Sequence, residues 1–215
     1  MVDFFAAGIG LVPASIPPAA KANLWLAGLP LPPLSALWRG RSYVLFCAEA
    51  STPLRSLHST LTAAMVEAVW RRYRLPVLGF RPVDHPAFGD VSAFSKRLDD
   101  YIARARPASV VVSTETSAVH PAAGFDVPTP AVFAGIEPAL RDRDYPLCHA
   151  VDIGRSCTRG FHADDAPASM KALLAVWTEA IGADRWTWPE APFEPCHAAT
   201  RVEVEVAVEV AVAVD

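Results

Sequence analysis

Residues 109–113 read Ser-Val-Val-Val-Ser, three valines in a row between two hydroxyls. A run that is apolar at consecutive positions is buried on both faces, as expected of a central strand in a parallel sheet. Two shorter runs of the same kind precede it, Tyr43–Cys47 (YVLFC) and Pro76–Phe80 (PVLGF). Between them the period changes to that of a helix. Leu54, Leu57, Leu61, Met65 and Ala68 recur at steps of three or four. Ser51 or Thr52 is expected to cap this helix and Pro53 to occupy its first position. Asp90 is expected to cap a second one with Val91, Phe94, Leu98, Ile102 and Ala105 on its apolar face.

Further along, Ala131–Ala134 reads as a weak strand, Pro138–Arg143 as a short helix and Leu147–Val151 as another strand. Pro167 opens a last helix carrying Met170, Leu173, Leu174, Trp177 and Ile181, and Gly182 ends it. Strands alternating with amphipathic helices imply an α/β, three-layer Rossmann-like fold: a mostly parallel sheet with helices on both faces.

The 215 residues carry 19 Lys plus Arg against 23 Asp plus Glu, a net charge of −4, with 52% apolar and 20% charged residues. That composition excludes general disorder and suits a single buried core. The charge disfavours a DNA-binding surface, which carries a basic surplus. The four cysteines form no C-x-x-C pair and are too few for a disulfide scaffold. They read as reduced thiols of a cytoplasmic protein.

Three regions follow. Residues 1–40 form an apolar, proline-rich arm whose prolines break any membrane-spanning run, so it is expected to pack on the body. Residues 41–195 are a single α/β domain. Residues 196–215 form a tail in which valine stands at every even position from Val202 to Val214. As a strand, its valines share one face, which points to an edge strand or a contact between copies in a homo-oligomer.

Ligands of open α/β sheets bind beyond the carboxyl ends of the strands. The polar residues there are Glu49 and Ser51 after the first strand, and Arg81, Asp84 and His85 after the second. Glu115 and His120 follow the third, and His149 and Asp152 belong to the later one. Glu49, Ser51, Glu115, His149 and Asp152 are the catalytic candidates: carboxylates and imidazole for acid–base work, and a hydroxyl that could be acylated. Asp84, His85 and His120 are candidate ligands for a divalent metal that would activate water. The loop Ala48–Thr52 holds no glycine, so no nucleotide cofactor is expected.

The function read from this set is a small-molecule enzyme of hydrolase or acyl-transfer type. The strand, serine-bearing loop and helix ending in Trp70-Arg71-Arg72-Tyr73 resemble the first unit of the cyclodipeptide synthases. That resemblance implies a covalent serine and an aminoacyl group delivered by tRNA. An alternative of another class is a non-catalytic ligand-binding or assembly protein that oligomerises through arm and tail. Convergence of Glu49, Glu115 and His149 in one pocket favours the enzyme; their scattering, with a tail paired to another chain, favours assembly.

Overall fold

The computed structural model describes residues 2–141, 144–159, 167–183 and 188. The tail, Cys196 and His162 lie outside them. Six strands form one sheet: β1 Val44–Cys47, β2 Val77–Gly79, β3 Phe88–Asp90, β4 Val110–Ser113, β5 Thr129–Phe133 and β6 Cys148–Asp152. Their order is β3-β2-β1-β4-β5-β6, and every pairing is parallel. The fold class is therefore the one read from the sequence, and β1 has β2 and β4 as its parallel neighbours.

The helices are α1 Val2–Gly8, α2 Pro18–Lys21, α3 Ser59–Tyr73, α4 Leu98–Ala105, α5 Val119–Gly124 and α6 Pro167–Gly182. Consecutive strand residues point to opposite faces, and the core divides accordingly. Val44, Phe46, Val110 and Val112 pack with Met65, Val66 and Val69 of α3 and Leu173 and Trp177 of α6. Tyr43, Leu45, Cys47 and Val111 face the other way, onto Ala105 of α4 and Ala118 and Ala122 beside and within α5. Two helical layers thus enclose the sheet. The phenol of buried Tyr43 donates to the Arg104 carbonyl at 2.7 Å, satisfying the one polar atom it brings into the core.

Several local expectations shift. The helix after β1 starts at Ser59, and Pro53–Arg55 form a separate 3-10 turn. Neither Ser51 nor Thr52 caps it; the His58 ring accepts from the Thr60 amide instead. Ser56 explains the delay. Its hydroxyl accepts from Ala50 N–H at 2.9 Å and donates to the Thr52 carbonyl at 3.0 Å, winding residues 50–56 into a compact loop. Leu54 and Leu57 are buried even so.

Asp90 ends the short strand β3, which the sequence reading missed, and its carboxylate caps only the turn at Ser92. Helix α4 starts at Leu98, leaving Phe94 and Leu98 exposed. Pro138–Leu140 is a single 3-10 turn. Helix α5 went unread because six residues containing a proline and a glycine show no apolar period.

The arm is less irregular than expected and is held at several points. Lys21 pairs with Asp3 at 2.8 Å, Arg106 donates to the Ala27 carbonyl, and Ala22 packs with Ala123 and Phe133. No helix among the described residues is long and apolar enough to cross a membrane.

Gly124 is the tightest point of this docking. A Cβ there would lie 2.7 Å from the Asn23 carbonyl oxygen and 2.7 Å from Leu26. Gly124→Ala is expected to cost about 1–3 kcal/mol through overpacking and to lift the arm. Chymotrypsin should then cut beside Trp25 in the variant well before it cuts the parent. Equal cleavage rates would show that the arm does not depend on this contact.

Candidate functional site

The strand order reverses between β1 and β4, the point at which an open α/β sheet leaves a crevice beyond its carboxyl edge. Two hollows flank that point. The larger, about 960 Å³, lies over β1 and β2. Its walls are the loop from Ala48 to Thr52, the first turn of α3, and Arg81 and Asp84 after β2. The smaller, about 420 Å³, lies between the arm, α4, α5 and the segment 139–145. Tyr101 of α4 lines both. Its phenol is hydrogen-bonded to the side chains of Cys47 and Ser117, one from each side of the switch point.

Glu49 and Ser51 share the larger hollow because one loop carries both. The Glu49 carboxylate pairs with Arg81 at 2.5 Å, joining the loops after β1 and β2. Ser51 Oγ accepts from the Arg55 guanidinium, whose Nε also donates to Thr52 Oγ1 at 3.0 Å. No base touches the Ser51 hydroxyl among the described residues. Cys47 offers no better nucleophile: burial pushes its thiol up to about 12, so it stays protonated. His58 stands in the same wall, with Nδ1 taken by Thr60 and its remaining donor on Nε2.

The other candidates are elsewhere. Glu115 is buried, 6% exposed, and turned toward the end of β5. Its Oε1 accepts from the backbone N–H groups of Ala134, Gly135 and Ile136 at 2.6, 2.5 and 3.2 Å, and Oε2 also accepts from Ile136. The neighbouring hydroxyls hold the turn that carries it. Ser113 Oγ donates to the Thr114 carbonyl at 2.8 Å, and Thr116 Oγ1 accepts from Ala118 N–H at 3.0 Å. These contacts give Glu115 the role of a brace between the β4 and β5 loops. His149 lies exposed on the edge strand β6. Asp152 pairs with Arg159 and accepts from Gly154 N–H at 2.9 Å. Glu49, Glu115 and His149 therefore do not converge, and the tail that was to decide the assembly reading lies outside the described residues.

The metal-ligand set is not assembled either. His85 is held against α3: its Nε2 is 2.8 Å from Glu67, its Nδ1 accepts from Ala87 N–H, and its ring meets Trp70 edge-on. His85 and Arg71 together hold the Glu67 carboxyl below its usual range. Asp84 lines the larger hollow, while His120 belongs to α5 and the smaller one. Among the described residues no three His, Cys, Asp or Glu side chains come together to hold a metal ion.

His120 gains a different setting. Its Nδ1 lies 2.6 Å from the Tyr145 hydroxyl, which also accepts from Asn23 Nδ2 at 2.9 Å. The hydroxyl of Tyr145 thus ties the arm to α5 through one oxygen. Neither partner was legible in the sequence. Asn23 sits in the arm with φ at 60°, a left-handed conformation that asparagine tolerates, and Tyr145 precedes a proline in a loop.

No family model matches the chain, and no curated protein matches it. Among solved structures, the E. coli ADP-heptose lps heptosyltransferase II is similar with a TM-score of 0.45 and 16% identity, over 68% of this chain and 48% of that one. The E. coli heptosyltransferase WaaC with ADP is similar with a TM-score of 0.45 and 15% identity, over 86% and 55%. The chain spans about half the length of these transferases.

Two measurements check these assignments. Glu115→Gln puts a donor where a carboxylate accepted, and should cost about 2 kcal/mol of unfolding free energy by urea titration. An unchanged midpoint would remove the brace.

The second is a pH profile. Burial and the Arg141 cation hold the His120 imidazole below its ordinary 6.5. The unfolded chain then binds a proton just below pH 6.5 that the folded chain refuses. The stability contributed is complete above that pH and falls as pH drops toward the lowered folded value. His120→Gln should flatten stability against pH over about pH 5–7; an unchanged slope would show that His120 titrates normally.

Proposed function

We propose that the chain is a small-molecule enzyme of group-transfer type, working in the larger hollow by acyl transfer or its hydrolytic form. One observation carries this reading: Glu49 and Ser51 come off the central strand β1 on a single loop that walls a cleft of about 960 Å³ at the carboxyl edge. Transfer to a hydroxyl or to water requires a base for the accepting oxygen and donors for the charge that develops on the transferred group. Glu49 is the base. Arg81 orients it, and an incoming substrate competes for that exposed guanidinium.

The first turn of α3 contributes Ser59 and Thr62 to the opposite wall. At the start of α3 the Thr60 and Leu61 amides are taken by the His58 ring and carbonyl, so the Ser59 N–H is the backbone donor offered to a developing negative charge. His58 adds a donor through Nε2. Ser51 serves to orient the substrate, because it lacks a base to activate it as a nucleophile.

The test begins with thermal-shift screening of acyl, phosphoryl and glycosyl donors against the parent protein. A true ligand should raise the melting temperature in proportion to the logarithm of its concentration. Its protection from hydrogen exchange should map to residues 48–62 and 79–84. With that ligand as substrate, Glu49→Gln should lower turnover at least ~100-fold with unchanged circular dichroism. Full activity in Glu49→Gln, or protection confined to other segments, would overturn the assignment.

A further inference from the structure

The smaller hollow has a composition of its own that the proposed reaction does not use. Its rim is apolar and wet: Trp25 is 67%, Leu98 70% and Leu140 57% exposed, and they come from the arm, α4 and the segment after β5. Large apolar side chains gathered from separate elements around one concavity mark a binding surface, whereas scattered ones are ordinary. At about 420 Å³ the space falls in the range of roughly 300–1,000 Å³ usual for small-ligand pockets.

The polar end of the hollow is unevenly satisfied. Tyr145 is bonded to Asn23 and His120. Arg141 is different. Its guanidinium lines the hollow, and no carboxylate, carbonyl or hydroxyl among the described residues takes it. It is partly buried and feels a second cation, Arg55, from the loop after β1. The Glu115 carboxylate attracts it through space, but no hydrogen bond joins the two, and Glu115 is held by the backbone N–H groups of residues 134–136. A partly desolvated guanidinium with no hydrogen-bond acceptor among the described residues, near a second cation, gains when an anion joins it. Asp144 in the same wall would repel a second negative charge.

We infer that the smaller hollow binds an amphiphilic monoanion, a flat apolar or aromatic body carrying one carboxylate-, sulfonate- or phosphate-type group. The body lies against Trp25, Leu98 and Leu140, and the anionic group meets the planar donor fork of Arg141. The site needs the docked arm, since Trp25 supplies one wall.

Two fluorescent probes separate the parts. 1-Anilinonaphthalene-8-sulfonate has the aromatic body and one sulfonate; N-phenyl-1-naphthylamine has the same body without the charge. The full chain should bind both. Arg141→Gln should weaken the sulfonate probe at least ~10-fold and the neutral probe less than ~2-fold, while Arg141→Lys restores part of the loss. Leu98→Ser should weaken both. Added salt should weaken only the charged probe on the parent protein, a readout that needs no variant. Equal binding of the sulfonate by parent and Arg141→Gln would overturn the inference. So would a parent protein that binds neither probe, or Leu98→Ser binding both unchanged. None of these outcomes touches Glu49, so they leave the proposed reaction to its own test.

Discussion

The carboxyl edge of the sheet depends on one buried carboxylate. Glu115 leaves the end of β4 and takes the N–H groups of Ala134, Gly135 and Ile136, where the chain leaves β5. Those amides lie past the last strand residue and would otherwise be buried without partners, a state that costs more than most single contacts return. The bond set is charge-assisted and shielded from water, so it resists exchange with solvent. Thr158 adds a second tie to the same segment by donating to the Ala134 carbonyl at 2.7 Å. The β4 and β5 loops are therefore fixed to each other before any ligand arrives.

The two hollows follow from that rim. On one side of the switch point the loop after β1 is wound by Ser56 and tied to the β2 loop through Glu49 and Arg81. On the other, the arm closes over α5 and brings Asn23 and Trp25 to Tyr145 and His120. Tyr101 stands between them with a phenol that burial pushes up and that stays protonated. The larger hollow is the more polar of the two and suits chemistry; the smaller is mostly apolar, with one cation that no hydrogen bond holds among the described residues, and suits recognition.

The sheet was legible in the sequence because β1, β2 and β4 are apolar at consecutive positions, a pattern only a strand buried on both faces needs. Helix α6 was legible from its period and its flanking Pro167 and Gly182. The short elements were not. Phe88–Asp90 is three residues at a half-exposed edge, and α5 has too few residues to show a period. The site was half legible. Glu49 and Ser51 meet because they are two residues apart on one loop. Glu115 was placed correctly at the edge of the sheet, but its direction depends on three amides twenty residues away, which no local pattern encodes. His149 read as part of an apolar strand and proved exposed, because among the described residues β6 ends the sheet and has a neighbour on one side only. Arg141, Asn23 and Tyr145 come together only through the docking of the arm.

The claim that Glu115 holds the rim rigid is tested most directly by native-state hydrogen exchange of the parent protein. The amides of Ala134, Gly135 and Ile136 lie outside regular structure, yet their protection should match that of Val110–Val112 in β4 and be lost only with global unfolding. Exchange of those three amides as fast as that of the exposed loop at residues 81–86 would contradict the account.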